Sequence, residues 1–247
     1  MPINQHDKKL SWEDWVLAEG DSWFSYWIPG TGNLLDKIDS LWDGDKSIYS
    51  TAYPGDEVRS MLSGRSREVL IANLKGYQSL RMILFSGGGN DVAADNLTSI
   101  LRIDCSAATT VADCFRTGQP SARITEVVNA YQTLIELRDR YRPEAAIVTH
   151  TYSYAIPDGR GVLCAGPWLL PQLKDAQVPE SLRQPLIGVL IDKFATGLQT
   201  LANAKFHVVD TRKVLGPDDW ANELHPNAEG FAKVAKAMEE ELKAVLA

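Results

Sequence analysis

Five short apolar runs, separated by stretches with helical periodicity, constrain the fold of this chain more than any other feature. The runs span residues 15–19, 47–51, 82–86, 145–149 and 206–210. Between them, apolar residues spaced i, i+3, i+4 and i+7 predict helices over 123–141 and 185–204, and a C-terminal helix capped by Asn227. Strands that alternate with helices form a mostly parallel sheet with helices on both faces, so the sequence predicts an α/β fold.

The composition is that of an ordinary globular protein and narrows the list of partners. The 247 residues suit a single domain, 1–247, better than two. The formal net charge is −7 and there is no basic run, which disfavours nucleic acid and anionic membranes as partners. No stretch of eighteen apolar residues occurs, so we expect no membrane span. Residues 1–13 are polar and lack the apolar core of a signal peptide, which predicts a cytoplasmic protein unless a signal has been trimmed.

Two long connections, 92–122 and 153–184, leave the predicted sheet without an obvious regular pattern. Such connections are typically lids or binding loops, so we expect lid-like insertions that shape a substrate pocket. Surface decoration or an oligomer contact is the alternative for either one. The first insertion contains two of the three cysteines, Cys105 and Cys114, and the second contains Cys164. Cys105 and Cys114 either form a disulfide in an oxidising compartment or remain free thiols.

Residues with catalytic chemistry follow the predicted strands. Ser22 lies in a turn after the first run, Asn90 in the Gly-rich turn after the third, and His150 at the end of the fourth. In parallel α/β sheets the ligand site lies at the carboxyl ends of the strands, which places these residues and Gly55 on one rim. His225 lies beyond the last run and must return to this rim by a loop.

A serine and a histidine on one rim indicate nucleophilic catalysis. A serine hydroxyl needs a base within hydrogen-bond reach, and donors for the oxyanion that its attack creates. His225 is the candidate base for Ser22. The candidate donors are the backbone N–H groups of Ser22 and Gly55 and the side-chain amide of Asn90. Gly55 has no Cβ, so it allows a substrate to approach the backbone closely.

Four blocks of the sequence, in this order and at this spacing, resemble those of the SGNH hydrolases, also called GDSL esterases and lipases. The blocks are Gly20-Asp21-Ser22, the turn at Gly55, Gly88-Gly89-Asn90-Asp91, and His225-Pro226. The resemblance implies a three-layer, flavodoxin-like α/β/α fold with a five-stranded parallel sheet, and an enzyme that needs no metal or organic cofactor. It also implies that Ser22 attacks, that His225 moves the proton, and that Ser22, Gly55 and Asn90 form the oxyanion hole.

The histidine block departs from the pattern of these hydrolases. They carry an aspartate three residues before the histidine, where this chain has Asn222. An amide oxygen can accept a hydrogen bond from the imidazole Nδ1–H, but it offers no full negative charge to an imidazolium. Either Asn222 orients His225, or a backbone carbonyl does, or a nearby carboxylate does. Asp219 is the preferred substitute, and Asp218 and Glu223 are the other candidates.

Four further side chains are candidates for lining a substrate pocket, namely Trp23, His150, Tyr152 and Trp168. Three of them have structural alternatives. Trp23 also suits core packing, His150 also suits a hydrogen-bonded structural role, and Trp168 also suits the anchor of a lid.

Together these features predict a serine hydrolase that cleaves a small-molecule carboxylic ester through an acyl-enzyme. A short acyl chain on a small alcohol or sugar is favoured, because the chain has no lipid-anchoring segment. One alternative is an acyltransferase that uses the same acyl-enzyme with an alcohol as acceptor. The other is a binding protein that kept the fold and lost turnover, which Asn222 makes conceivable. The oligomeric state is left open.

Overall fold

Five parallel strands form the centre of the protein. The computed structural model describes residues 15–43, 46–162 and 165–247, so the polar residues 1–13 and Cys164 lie outside the described residues. The strands are β1 Trp15–Gly20, β2 Ser47–Ser50, β3 Leu80–Ser86, β4 Ala146–His150 and β5 Phe206–Val209. They pair in parallel in the order β2-β1-β3-β4-β5, which confirms the predicted five-stranded sheet.

Helices fill the connections between the strands. Those before β3 are α1 Ser22–Ser25, α2 Leu34–Leu41, α3 Val58–Met61 and α4 Gly64–Gly76. The later ones are α5 Ala94–Ile100, α6 Val111–Cys114, α7 Gln119–Tyr141, α8 Leu170–Asp175, α9 Glu180–Gln199 and α10 Ala228–Leu246. As predicted, Asn227 caps the C-terminal helix, because its Oδ1 accepts the N–H groups of Glu229 and Gly230. Within the described ranges, no helix has both the length and the apolarity that crossing a membrane requires.

The helices cover both faces of the sheet. Helix α2 packs against α10, which also contacts β3, β4 and β5. In the other layer, α7 packs against α4 and α9. The central strand β3 is buried between the layers at every position but one. The protein is therefore a three-layer α/β/α sandwich, as predicted.

The expected helix bounds and insertions need correction in detail. Helix α7 begins before residue 123, because Gly118 turns the chain with a φ of 76° and Pro120 suits a first helical turn. Helix α9 begins at Glu180 and ends at Gln199, since apolar spacing reports the buried face of a helix and not its exposed first turn. The two insertions, expected to be irregular, contain the short helices α5, α6 and α8. Cys105 and Cys114 are buried free thiols in the first insertion.

The carboxyl ends of β1 and β3 approach each other too closely for a side chain at Gly20. A Cβ there would lie 2.7 Å from the carbonyl oxygen of Ser86. The N–H of Asp21 donates to the same carbonyl at 3.0 Å. Because glycine lacks a Cβ, the chain can leave β1 beside β3 and turn directly into α1.

Glu19 places a carboxyl inside the sheet. It is 4% exposed and accepts a hydrogen bond from the hydroxyl of Thr51. Burial raises the pKa of Glu19 from 4.5 to about 7, because a charged carboxylate is poorly solvated there. Over that interval the folded protein therefore binds a proton at Glu19 that the unfolded chain releases.

We expect Glu19 to make the free energy of unfolding fall as the pH rises from about 4.5 to about 7. Stability decreases with pH wherever the folded state binds more protons than the unfolded state. The Glu19→Gln variant removes this titration and keeps an acceptor for Thr51. Urea unfolding of both proteins between about pH 5 and about pH 8 measures the effect. The wild type should lose more stability over this interval than the variant, and parallel profiles would contradict the expectation.

Candidate active site

Ser22 begins α1, directly beyond the carboxyl end of β1. Asp21 caps this helix, because its Oδ1 accepts the N–H of Trp23 at 3.0 Å. The first N–H groups of a helix have no partner within the helix, so the N–H of Ser22 is available to a ligand. The Ser22 side chain is nearly buried.

The turn over residues 20–22, which holds the candidate nucleophile Ser22 and is named the nucleophile turn, is joined through Asp21 to the ends of β3 and β4. The Asp21 carboxylate accepts hydrogen bonds from the hydroxyl of Ser86, at 2.9 Å, and from that of Tyr152. His150 extends the network: its Nε2 donates to Ser86 Oγ at 3.0 Å, and its Nδ1 accepts the N–H of Tyr152 at 3.3 Å. Burial raises the pKa of Asp21 to about 6 and lowers the pKa of His150 to about 3.

A tight loop returns the histidine block to this rim. The carbonyl of His225 accepts the N–H of Ala221 at 2.9 Å and that of Asn222 at 3.3 Å. Trp23 Nε1 donates to the carbonyl of Leu224 at 2.9 Å. The indole of α1 therefore fixes the loop that carries the histidine against the helix that carries Ser22.

Ser22, His225 and Asn222 form a hydrogen-bonded chain. His225 Nε2 lies 2.7 Å from Ser22 Oγ, and His225 Nδ1 lies 2.9 Å from Asn222 Oδ1. Asn222 Oδ1 also accepts the N–H groups of Leu224 and His225, each at 3.0 Å. The other end of the amide, Nδ2, donates to the hydroxyl of Tyr26 at 2.9 Å. These partners turn the amide oxygen toward the ring, so Nδ1 carries the proton and Nε2 can accept one from Ser22.

The surroundings of His225 keep its ring uncharged. The ring is buried, stacks on Tyr26 with a centroid distance of 4.0 Å, and meets Trp168 edge-on at 5.5 Å. Its polar partners, Ser22 and Asn222, are both neutral. Burial therefore lowers the pKa of His225 to about 3. The imidazole is in its neutral form near pH 7, which is the form that accepts a proton.

The Gly-rich turn after β3 holds the loop that precedes α3. Asn90 Nδ2 donates to the carbonyl of Asp56 at 2.9 Å. Asp91 Oδ2 accepts the N–H of Val58 at 3.0 Å. The asparagine and the aspartate of this block therefore bind two points of the same loop, one on each side of residue 57.

Gly55 lies in that loop, close to the end of β1. The N–H of Tyr53 donates to the carbonyl of Gly20 at 2.9 Å, which draws the loop against the nucleophile turn. Gly55 has a φ of 89°, a conformation that side chains other than glycine rarely adopt. Its neighbour Asp56 binds Asn90, so the structure brings Gly55 and Asn90 to the same side of the rim as Ser22.

The expectation that Asp219 orients His225 in place of Asn222 is wrong. Asp219 Oδ1 forms an ion pair with Lys233 Nζ at 2.7 Å. Its Oδ2 accepts the N–H of Gly216 at 2.8 Å. Both oxygens of Asp219 are thus engaged away from the imidazole, and Asn222 occupies the position beside Nδ1.

Glu223 also binds elsewhere, and its contacts reveal a different role. Its fully buried carboxylate accepts four backbone N–H groups of the second insertion at 2.7–2.9 Å. They belong to Gly159, Trp168, Leu169 and Leu170. Glu223 therefore anchors this insertion to the loop that carries His225.

Four residues were expected to line the substrate pocket, and the structure separates them. Trp23 and Tyr152 line a cavity beside Ser22. Trp168 packs against the ring of His225. His150 is buried behind Trp23, with the two rings stacked at 5.0 Å and both imidazole nitrogens hydrogen-bonded within the protein. The structural alternative therefore holds for His150, which has no nitrogen left for a substrate.

The cavity beside Ser22 has a volume of about 70 Å³ and a largely apolar wall. Ser22, Gly89 and Asn90 contribute to it. Its apolar lining includes Trp23, Leu169, Ile187, Leu190, Ile191, Phe194, Trp220 and Leu224. A cavity needs roughly 10–15 Å³ to hold one water molecule, so this cavity has room for a group of a few heavy atoms.

Sequence patterns did not reveal several residues of the site. Tyr26 follows the end of α1, where the chain is extended and no periodicity applies. The sequence marks Glu223 only as a carboxylate near His225 and so as a candidate partner of the imidazole, whereas in the structure Glu223 binds the second insertion. The residues of α9 that line the cavity have the apolar spacing of any helix packed on a core, so the sequence does not single them out.

Comparisons with solved structures identify the fold. The lipase Lip_vut3 from a goat rumen metagenome is 16% identical, with a TM-score of 0.61, over 94% of this chain and 96% of that chain. The acetyl xylan esterase AlAXEase is 13% identical, with a TM-score of 0.55, over 92% of this chain and 99% of that chain. A protein from Slackia heliotrinireducens, provisionally assigned as an SGNH hydrolase, is 13% identical, with a TM-score of 0.55, over 93% and 99%. The chain thus has the SGNH hydrolase fold, as the sequence resemblance implied. No protein-family model and no curated protein matches the sequence.

We expect Asn222→Asp to move the acid limb of the pH profile of any reaction in which His225 acts as a base to higher pH. A carboxylate beside Nδ1 stabilises the imidazolium and raises the pKa of His225 from its low value by about 1–3 units. Since only neutral His225 accepts a proton, the variant should lose kcat/KM at a pH where the wild type is still active. Near pH 8 its activity should equal or exceed that of the wild type.

The measurement is kcat/KM against pH, with Asn227→Asp as the matched control. Asn227 caps α10 two residues beyond His225, and its side chain binds the Asp218 carbonyl and the N–H groups of Glu229 and Gly230, so the control adds the same charge and should leave the limb in place. Identical acid limbs for the wild type and Asn222→Asp would contradict the role of Asn222.

Proposed function

We propose that this protein is a serine hydrolase that cleaves carboxylic esters through an acyl-enzyme. The observation that carries the proposal is the 2.7 Å contact between Ser22 Oγ and His225 Nε2, in a buried site beside a cavity. A nucleophile and a base at this separation satisfy the geometric requirement for activating a serine. The lipase and the acetyl xylan esterase among the structural neighbours support the same class of reaction.

The reaction has two halves that use His225 in opposite senses. In the first, Ser22 Oγ attacks the ester carbonyl carbon while its proton passes to His225 Nε2. The carbon–oxygen bond to the alcohol then breaks, and the imidazolium returns the proton to the leaving alkoxide. In the second half, water attacks the acyl-enzyme with His225 as base, the acid departs, and Ser22 regains its proton.

Three donors are proposed to hold the oxyanion, namely the N–H groups of Ser22 and Gly55 and the amide of Asn90. Asn90 Nδ2 carries two hydrogens and uses one for the carbonyl of Asp56, so the second is free for the substrate. The Asp56 carbonyl thereby fixes the amide in a donating orientation. One such preorganised donor contributes about 3–4 kcal/mol to transition-state stabilisation.

The acyl group is proposed to enter the apolar cavity. Ser22 and Asn90 both line it, so a carbonyl carbon at Ser22 can direct its chain inward. A volume of about 70 Å³ favours a short acyl chain over a long one. The apolar lining favours hydrocarbon over a charged group, because a buried charge would lack a partner there.

The alcohol is proposed to lie on the solvent side of the site. Trp27 and Tyr53 are 68% and 60% exposed, which is unusual for large aromatic side chains. Trp27 follows Tyr26, which stacks on His225, and Tyr53 lies two residues before Gly55. Such amphipathic rings suit the faces of a sugar or another small alcohol.

A fluorophosphonate probe should label the wild type at Ser22 and should not label Ser22→Ala. The probe reacts only with a serine whose hydroxyl is activated by a base. Ser25→Ala is the matched control, since Ser25 is the other serine of α1 and its hydroxyl donates to the Asp21 carbonyl. Mass spectrometry of the labelled peptide reports the modified residue.

Absence of labelling in the folded wild type would refute the hydrolase and favour a binding protein. Labelling followed by faster acyl transfer to an added alcohol than to water would identify an acyltransferase. Hydrolysis and transfer are distinguished from the same acyl-enzyme, by measuring the released acid against the new ester.

We expect Ile191→Ala to shift acyl preference toward longer chains. Ile191 lines the cavity and is only half-buried, so truncation widens the cavity at a modest cost in stability. A panel of p-nitrophenyl esters with increasing acyl length gives kcat/KM for each chain. Val189→Ala is the matched control, because Val189 is a half-buried β-branched residue of the same helix outside the cavity lining. An unchanged preference in Ile191→Ala would place the acyl group elsewhere.

A further inference from the structure

We propose that Tyr26 is a positioning residue for His225 and that its ring stabilises the imidazolium that a carboxylate stabilises in the usual Asp-His-Ser arrangement. The inference rests on the proposed hydrolase function and assigns a role that the sequence motifs do not contain. Two separate contacts of Tyr26 carry it: a hydrogen bond from Asn222 and a stack on His225.

The hydrogen bond fixes which end of the Asn222 amide faces the base. An asparagine side chain presents an oxygen or an NH₂ group depending on a half-turn of its terminal bond. The Tyr26 hydroxyl accepts Asn222 Nδ2–H at 2.9 Å, and this leaves Oδ1 for His225 Nδ1 at 2.9 Å. The reverse orientation would set Nδ2 against Nδ1–H and force the ring into the wrong tautomer.

The stack places an aromatic face over the whole imidazole. The ring centroids of Tyr26 and His225 are 4.0 Å apart and the ring planes differ by 11°. The face of a tyrosine ring carries negative potential and attracts a cation within about 6 Å of its centroid. The attraction is larger when the pair is shielded from water, and both of these rings are buried.

The site needs such a contribution, because the carboxylates of the described residues on the histidine loop and at the turn before Ser22 bind other groups. On the histidine loop, Asp219 binds Lys233 and Glu223 binds the second insertion. At the nucleophile turn, Asp21 binds Ser86 and Tyr152. The ring's own polar partners are a hydroxyl and an amide. Among the residues that the structure describes, an imidazolium formed during proton transfer therefore meets the face of Tyr26 rather than a counter-ion.

The local backbone explains how Tyr26 reaches this position. Helix α1 has only four residues, and Tyr26 follows it with an extended backbone at φ −67° and ψ 125°. The Tyr26 carbonyl accepts a hydrogen bond from Asn33 Nδ2, the residue that caps α2. The side chain is thereby held between the end of one helix and the start of the next, against the base that acts on Ser22.

A double-mutant cycle between Tyr26→Leu and Asn222→Asp tests the proposal. In the wild-type background, Tyr26→Leu should lower kcat about 2- to 30-fold with a smaller effect on KM, because the lost interaction arises as the imidazolium forms. In the Asn222→Asp background the carboxylate supplies the charge, so the same change should cost several-fold less. Tyr49→Leu is the matched control, since Tyr49 packs on Tyr77 at the β2 edge and should show no coupling to residue 222.

Fluorinated phenylalanines at position 26 give a test that preserves the shape of the ring. Fluorine withdraws charge from the ring face, so kcat should fall with each added fluorine relative to Tyr26→Phe. Equal losses for Tyr26→Leu in both backgrounds, or rates that do not depend on fluorination, would overturn the proposal. If the probe labels Ser22 of the wild type but neither the double-mutant cycle nor the fluorinated variants show the expected effect, only the role of Tyr26 is refuted. If the wild type is not labelled, the hydrolase proposal itself has failed.

Discussion

The site depends first on the buried carboxyl of Asp21. Parallel pairing brings strand ends to a common edge, but it does not by itself hold together the turns that follow them. Asp21 does so, because it accepts hydrogen bonds from α1, from the end of β3 and from Tyr152 after β4. Burial raises the pKa of Asp21 to about 6, because the three donors offset only part of the cost of removing its charge from water. The position of Ser22 follows from this anchor and from the close approach at Gly20.

The proposed base, His225, differs from the base of an Asp-His-Ser arrangement in how its positive charge would be stabilised. A carboxylate partner would raise the pKa of His225 and stabilise the imidazolium. The resting imidazole would then already be protonated at mildly acidic pH. The Asn222 amide orients the ring without adding charge, so the base stays neutral to low pH. Stabilisation of the transient cation then falls to the stacked ring of Tyr26. Orientation and charge stabilisation, which one carboxylate performs together, are divided here between two neutral side chains.

The sequence predicted the sheet and the order of the site residues, because both depend on local patterns. Strand periodicity is read over five residues, and Ser22, Asn90 and His225 each lie in a turn next to a predicted element. The sequence could not reveal partners set by long-range packing. The ring of Tyr26 stacks on a residue from the far end of the chain. The sequence favoured Asp219 over Glu223 as a carboxylate partner of His225, but only the fold shows that Asp219 binds Lys233 and that Glu223 binds the second insertion. His150 lies at the end of β4, and the sequence does not distinguish a side chain that faces the rim from one that is buried at such a position.

Glu223 links the wall of the cavity to the loop that carries His225. The second insertion contributes Leu169 to the cavity and Trp168 to the surroundings of His225, and both of their N–H groups donate to this one carboxylate. Displacing the second insertion without the histidine loop would leave the fully buried carboxylate of Glu223 without its four N–H donors, which would cost free energy. Glu223 therefore couples the position of the second insertion to the position of the loop that carries His225.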